Sequence, residues 1–248
     1  MKNSKLLAKS ITLGLILAMP YSVVSADDIV QDSYSVGSTS TVTGKDSITI
    51  SGYSYIAGNL GDYNNKIFGA KNFTTGQLGL ERTGVIYVGE LETTSENVIS
   101  TISGKIYAND IEFNNAKVSF NKSAEIIAEN SLTITTLDSI TNNSKIVANT
   151  ITMNNYLTNK GSITANEKLT TNSLHNSGSV SGKKLITLEG LTNGDISAGS
   201  NPDAMLNFDY IDTRYIINAG LIKAQTIEND LNISNMGEMI IGNTMPER

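Results

Sequence analysis

The sequence predicts an all-β chain, a β-solenoid of about ten coils with 16–20 residues per coil. Three observations predict it. The string Leu-x-Asn-x-Gly-x-Ile-x-Ala returns along the chain at a nearly fixed step. Apolar and polar residues alternate within each copy, which is the period of a strand. The composition also leaves little else to build with: hydrophobic residues are 39% of 248, charged residues 17%, and Asn about one residue in nine, with no Trp and no Cys. Such a chain is poor in helix formers but keeps enough Ile, Leu and Val for a core. That excludes a coiled coil, a multi-span membrane protein and a charge-rich disordered tail.

The first element, residues 1–26, has the pattern of a secretory signal peptide. Lys2, Lys5 and Lys9 precede the apolar run from Ile11 to Met19, and Val24-Ser25-Ala26 supplies small residues at −3 and −1 of a cleavage site. The run is shorter than the ~20 residues a bilayer-spanning helix needs. Export through the inner membrane is the expectation, with no lipid anchor because no Cys stands at the site. Loss of three Lys from 18 bases leaves fifteen against 24 acids, about −9. That sign disfavours nucleic acid, whose binders cluster Lys and Arg against phosphate. Residues 27–46 follow as an acidic, polar cap or linker, suited to covering one open end of a solenoid.

Residues 47–248 carry the repeats. The clearest copies are Leu157-Thr-Asn159-Lys-Gly161-Ser-Ile163-Thr-Ala165 and Leu174-His-Asn176-Ser-Gly178-Ser-Val180-Ser-Gly182. The Ile of each copy is placed at 67, 86, 106, 126, 146, 163, 180, 196, 222 and 239, in steps of 19, 20, 20, 20, 17, 17, 16, 26 and 17. The copy at Ile140-Thr-Asn142-Asn-Ser144 has Ser where the others have Gly. A second alternating stretch follows each copy, as in Leu132-Thr-Ile134 and Ile151-Thr-Met153. One repeat is therefore two or three short strands joined by tight corners, with no room for a helix. Stacked coils bury an apolar face that no single coil can bury, and at about 4.8 Å per coil ten of them make a rod on the order of 50 Å. Asn142, Asn159, Asn176, Asn193, Asn218 and Asn235 recur at one corner. They satisfy either of two readings: an amide ladder along the axis, or residues that simply suit a turn. Ile240-Ile241-Gly242 leaves little after the last copy, so the far end is expected to be open and to continue into more chain.

The string Asn-x-Gly-x-Ile-x-Ala followed by an alternating strand resembles the haemagglutinin-type repeats of filamentous haemagglutinin and the passenger regions of autotransporter adhesins, over roughly Ile67 to Gly242. The resemblance implies a right-handed parallel β-helix on a Gram-negative cell surface, or secreted. It further implies a partner glycan or protein on a host or neighbouring cell, and an outer-membrane translocator in cis or trans. The chain has neither the C-terminal barrel strands of an autotransporter nor the Asn-Pro-rich secretion signature of two-partner exoproteins; without a translocator the expected place is the periplasm.

Function is then expected where the repeat is interrupted. The 26-residue step marks an insertion at 199–215, whose Asp203, Asp209, Tyr210, Asp212, Arg214 and Tyr215 are binding candidates. Tyr53, Tyr55 and Tyr63 in an irregular early stretch are others, being both flat and hydrogen-bonding. Asp203, Asp209 and Asp212 with Arg214 also admit an acid–base reading of the kind found in β-helical polysaccharide lyases and hydrolases. The expectation is nevertheless a non-enzymatic, adhesin-like surface solenoid, with a structural stalk as a third reading. The lone His175 lies on an outward phase. Calcium-repeat, Walker, Rossmann and EF-hand strings are missing, so no metal and no cofactor is expected.

Overall fold

The computed structural model describes residues 28–195 and 203–242, with backbone alone at 229–231. The leader 1–26, most of the expected insertion's first part (199–202) and the last residues 243–248 lie outside that range. Nineteen strands make up the described chain. They are β1 (Ile29–Val36), β2 (Thr41–Val42), β3 (Lys45–Ile56), β4 (Asn59–Asp62), β5 (Ile67–Phe68), β6 (Ala70–Leu80), β7 (Val85–Tyr87), β8 (Glu90–Thr93), β9 (Ile99–Ile102) and β10 (Lys105–Asn115). There follow β11 (Lys117–Phe120), β12 (Glu125–Thr136), β13 (Ile140–Asn142), β14 (Lys145–Asn159), β15 (Ser162–Asn176), β16 (Ser179–Asn193), β17 (Met205–Asn218), β18 (Leu221–Asn235) and β19 (Glu238–Ile241). Every strand pairing is parallel save the short β4–β5 hairpin. The described residues contain no helix, and the chain is a parallel β-solenoid of about eleven turns.

β14 shows how sequence makes a coil. Its inward side chains are Ile146 and Ala148 on the first face, Ile151 and Met153 on the second, and Leu157 and Asn159 on the third, all at most 1% exposed. Between them stand Val147, Thr152 and Thr158, pointing out. Alternation breaks at Asn149-Thr150 and Asn154-Asn155-Tyr156, where the strand turns a corner. β15 repeats the arrangement directly above, pairing Ile146 with Ile163, Ile151 with Leu169 and Leu157 with Leu174. Like therefore stacks on like, and the core is a set of apolar columns parallel to the axis.

Register corrects two of the repeat anchors. The Ile146 column runs Val42, Leu60, Ile86, Ile106, Ile126, Ile146, Ile163, Val180, Leu206, Ile222 and Met239. Ile67 is not in it; it sits on the β4–β5 hairpin opposite Asp62 and is 48% exposed. The place expected for Ile196, against Val180, is taken by Leu206; Ile196 itself lies outside the described residues. In both cases an extra segment carries its own apolar residue near the repeat spacing, and sequence alternation alone does not separate the two. The additional residues of the long step consequently fall between Asp195 and Asp203, and 196–202 lie outside the described residues. Residues 205–215, expected as loop, are the regular strand β17.

The Asn column carries the sharpest change along the rod. Its members are Val36, Ile56, Leu80, Ile102 and Phe120, then Asn142, Asn159, Asn176, Asn193, Asn218 and Asn235. In the second half each Nδ2 donates to the Oδ1 of the next coil's Asn, at 2.8, 2.8, 2.8, 2.8 and 2.7 Å. The same amides also form the turn. Nδ2 of Asn176 donates to Gly178 O at 3.0 Å, while its Oδ1 accepts the Gly178 N–H at 3.2 Å. Ladder and turn preference are therefore served by one side chain. Gly at the turn has a steric cause: a Cβ on Gly178 would lie 2.2 Å from Gly161 O of the coil below.

Ser144, the departure from the repeat, sits at the ladder's acceptor end. Phe120 precedes Asn142 in the column and offers no donor, and the Ser144 hydroxyl donates to Asn142 Oδ1 at 2.6 Å in its place. Ser144→Ala is expected to cost about 1 kcal/mol, the value of one net hydrogen bond with the backbone partner retained. Urea unfolding of the two proteins side by side checks it; equal midpoints would show that the cap contributes nothing.

The ends differ from each other. The segment expected as a cap, 27–46, contains β1 and β2, which are the first coil itself, in register with β3 and β4. It is polar as expected: Asp28 Oδ1 accepts from Ser47 N and Oγ at 3.1 and 2.7 Å, and Asp32 accepts from Ser51 Oγ at 2.9 Å. At the other end Ile233, Met236 and Ile241 are each about half exposed.

Candidate functional site

Outward positions of the coils are mostly Thr, Ser, Asn, Lys and Glu, so apolar side chains left in solvent are informative. Val30, Ile67, Ile233, Met236 and Ile241 belong to the end coils or the hairpin. The other exposed large ones are Tyr53, Tyr55, Ile99, Leu137, Tyr156, Leu188 and Tyr215. Tyr53, Ile99, Tyr156 and Tyr215 each stand one residue before the buried third-face strand, and Leu137 and Leu188 three residues before it, at the same corner between the second and third faces; Tyr55 is two residues beyond Tyr53. Because the coils are in register, they form one edge running most of the rod's length.

The edge is best organised between β14 and β17. Tyr156 is 53% exposed, and its hydroxyl donates to Glu189 Oε2 at 2.6 Å. Ser173 Oγ, on the coil between, donates to the same oxygen at 3.2 Å. The carboxylate at Glu189 holds the Tyr156 phenol above its ordinary range, since the bound proton is the one that must leave. Tyr215, on β17, lies over Gly190 of the coil below: a Cβ built there would be 2.2, 2.3 and 2.6 Å from Cζ, Cε1 and Cε2 of the ring. At the other end of the edge Tyr53 and Tyr55 have ring centroids 6.4 Å apart, and the Tyr53 phenol covers Gly79. Tyr55 hydrogen-bonds Glu81, which raises its pKa.

The sequence candidates divide among different sides. Asp203 is an exposed turn residue at the corner between the third and first faces. Asp209 is at the next corner, exposed; Asp212 is on the second face, in register with Ile186 and Glu228; Arg214 and Tyr215 are at the third corner. Tyr210 also faces out on the second face, with Lys184 Nζ 4.4 Å from its ring centroid, and a hydrogen bond to Glu228 pushes its pKa up to about 12. The three Asp, expected as one loop group, are thus spread around the coil and do not converge. The cause is the misplaced repeat anchor, which turned a strand into a loop.

Tyr63 is separated from Tyr53 and Tyr55. It rides on the hairpin, stacked on Tyr107 at 3.8 Å and 10° and edge-on to Tyr87 at 5.3 Å, with Lys66 Nζ 3.8 Å from its own ring centroid. This cluster pins the hairpin to the first face. Burial, with Glu125 close by, pushes Tyr107 up to about 12. Glu125 accepts from Lys145 at 2.8 Å, lies 3.3 Å from Lys105, and accepts from Tyr107 at 3.2 Å. The hydrogen bond from Lys145 leads the causes that lower its pKa. A depressed carboxylate stabilises the fold above its unfolded pKa and loses that contribution as pH falls through the folded one. Glu125→Gln is expected to cost about 0.5–1 kcal/mol at pH 7, given its solvent screening, and nothing well below the carboxylate range. Unfolding curves at the two pH values check the sign.

His175 is exposed between Thr158 and Thr192. Tyr156, Leu137, Leu188, Ile99 and Glu189 were missed by sequence reasoning. For Ile99 and Tyr156 the available signal was an apolar residue one place before the buried third-face strand, as in Tyr156-Leu157 and Tyr215-Ile216; Leu137, Leu188 and Glu189 lie earlier in the corner and carried no such signal. Among the described residues no group of three or more His, Cys, Asp or Glu is placed to hold a metal ion. A depression of about 380 Å³ is lined by Arg82, Lys122 and Ser123, without a carboxylate. No protein-family profile matches the chain, and no curated protein or solved structure matches it significantly.

Proposed function

We propose that the protein is an exported surface solenoid, adhesin-like, which displays a recognition edge to glycans or proteins outside the cell. One observation carries the reading: away from the end coils and the hairpin, the large apolar side chains left in solvent, save Tyr55, are strung along one edge of a rod instead of lining a cleft. A rod presents a long, shallow contact surface, which suits attachment to an extended or cell-bound partner. The leader-like residues 1–26 and the acidic balance of the remaining chain support it. The polysaccharide-enzyme reading loses its acid–base group, because Asp203, Asp209 and Asp212 stand at different places around the coil.

Intact source cells treated with a membrane-impermeant amine-reactive biotin reagent test it, since Lys122, Lys160 and Lys183 are exposed. Labelling of the protein before the envelope is opened is expected, as is competition by purified protein for attachment. Labelling only after the envelope is permeabilised overturns surface display.

A further inference from the structure

We infer that the edge from Tyr156 to Tyr215 is a binding site for a neutral polysaccharide chain lying along the rod axis. The inference deepens the display reading and rests on it for its biological setting. Tyr215 has one ring face on Gly190, where three ring atoms come nearly equally close to the built Cβ position. Its exposure is 38%. Tyr156 is tethered through its hydroxyl to Glu189, which also receives the Ser173 hydroxyl. Both aromatic groups are held before a ligand arrives, so little side-chain freedom is lost on binding. Three coils separate the two backbone positions, about 14 Å along the axis at the inter-strand spacing, and the side chains lean toward each other, the Tyr156 hydroxyl meeting Glu189 next to the Gly190 that Tyr215 covers. Leu188, 56% exposed, lies between them. An apolar surface with carboxylate and hydroxyl groups beside it matches a sugar ring, which has C–H groups on its faces and hydroxyls at its rim.

Other occupants fit less well. An extended peptide needs free strand backbone, and along the flank of the rod the strands are already paired coil to coil. A small ligand would stay largely in water on an edge without a cavity. An acidic polymer meets Glu96, Asp138 and Glu189, all exposed at this corner, against Lys117 and Arg214. A second copy would find only a few side chains here, short of the ~1,000 Å² a stable interface requires.

Native gel electrophoresis of the purified protein, in gels cast with hydroxyethylcellulose, galactomannan or dextran, tests the site. Polygalacturonate and alginate serve as acidic controls. Retardation by at least one neutral polymer is expected, weakened about tenfold or more in the Tyr156→Ala/Tyr215→Ala double variant. Gly190→Ala, which unseats the Tyr215 ring while keeping it, should weaken binding similarly; Tyr215→Phe should stay within about twofold of the parent. Far-UV circular dichroism checks that each variant folds, and Gly190→Ala keeps the test open if the double variant does not. No retardation in any neutral gel, unchanged retardation in the variants, or stronger retardation in the acidic gels overturns the proposal. So does a parent dimer in sedimentation that the variants dissolve, which would make the edge a contact between copies. Surface labelling without polysaccharide binding defeats this site alone; binding without surface labelling defeats the display reading alone.

Discussion

Replacing Asn176 by Ala is expected to destabilise the solenoid by about 3–5 kcal/mol, among the largest effects a single side chain can have here. The amide is wholly buried and stands third in the ladder. Its removal leaves Asn193 Oδ1 without its 2.8 Å donor and the Gly178 N–H without its side-chain acceptor, while the carbonyls of Gly178 and Met205 lose a shared donor. Each buried group left short costs about 1–3 kcal/mol. Asn235→Ala, at the exposed end of the same ladder, is expected to cost less than about 1 kcal/mol. Urea denaturation of both variants measures the contrast. Equal losses at the two positions would mean that the amides act only as independent turn residues and that their connection contributes nothing.

Gly178→Val is expected to be still more damaging, at about 4 kcal/mol or more, enough to threaten folding at room temperature. The obstacle is backbone, which cannot step aside as a flexible side chain would: Gly161 O at 2.2 Å and Lys160 C at 2.9 Å from the new Cβ. The two ladder corners that do carry side chains are built differently. Ser144 follows a coil with the longer corner Asn121–Ala124, and Ala204 comes at the end of the 195–203 insertion. Ser177→Val, one residue away and partly exposed, loses only the hydroxyl's 3.2 Å bond to Asn159 O and is expected to cost no more than about 1 kcal/mol. Melting curves of the two variants decide it. A folded, cooperative Gly178→Val protein would show that the coils can separate locally, contrary to the tight stacking argued above.

The architecture was legible because a solenoid writes its fold into local order. Ile106, Ile126, Ile146 and Ile163 lie one coil apart, and each is followed two residues later by Ala, so register follows from spacing. Legibility failed where an inserted segment imitates the repeat. Ile67 lies 19 residues before Ile86, as a genuine anchor would, although Leu60 is the residue that pairs with Ile86. Ile196, 16 residues after Val180, displaced Leu206 in the same way. That second slip changed the function of a whole stretch, making Asp209 to Tyr215 a loop when they are strand β17. Tyr215 remained a useful candidate for a different reason: its neighbours on the edge, Tyr156 and Glu189, are 59 and 26 residues earlier in sequence, and only the stacking of coils brings them together.

The change of one inward column from Phe120 to Asn142 also changes what that column contributes to heat capacity. Uncovering apolar surface raises the heat capacity of unfolding, by about 0.45 cal/mol/K per Å², and uncovering polar surface lowers it, by about 0.26. From Val36 to Phe120 the column adds to the apolar part; from Asn142 to Asn235 it subtracts. This column's contribution to the curvature of stability with temperature is therefore larger before Asn142 than among the amide-lined coils. Along one continuous rod the same position thus changes the sign of its response to cold, with the boundary at the coil where Ser144 closes the ladder.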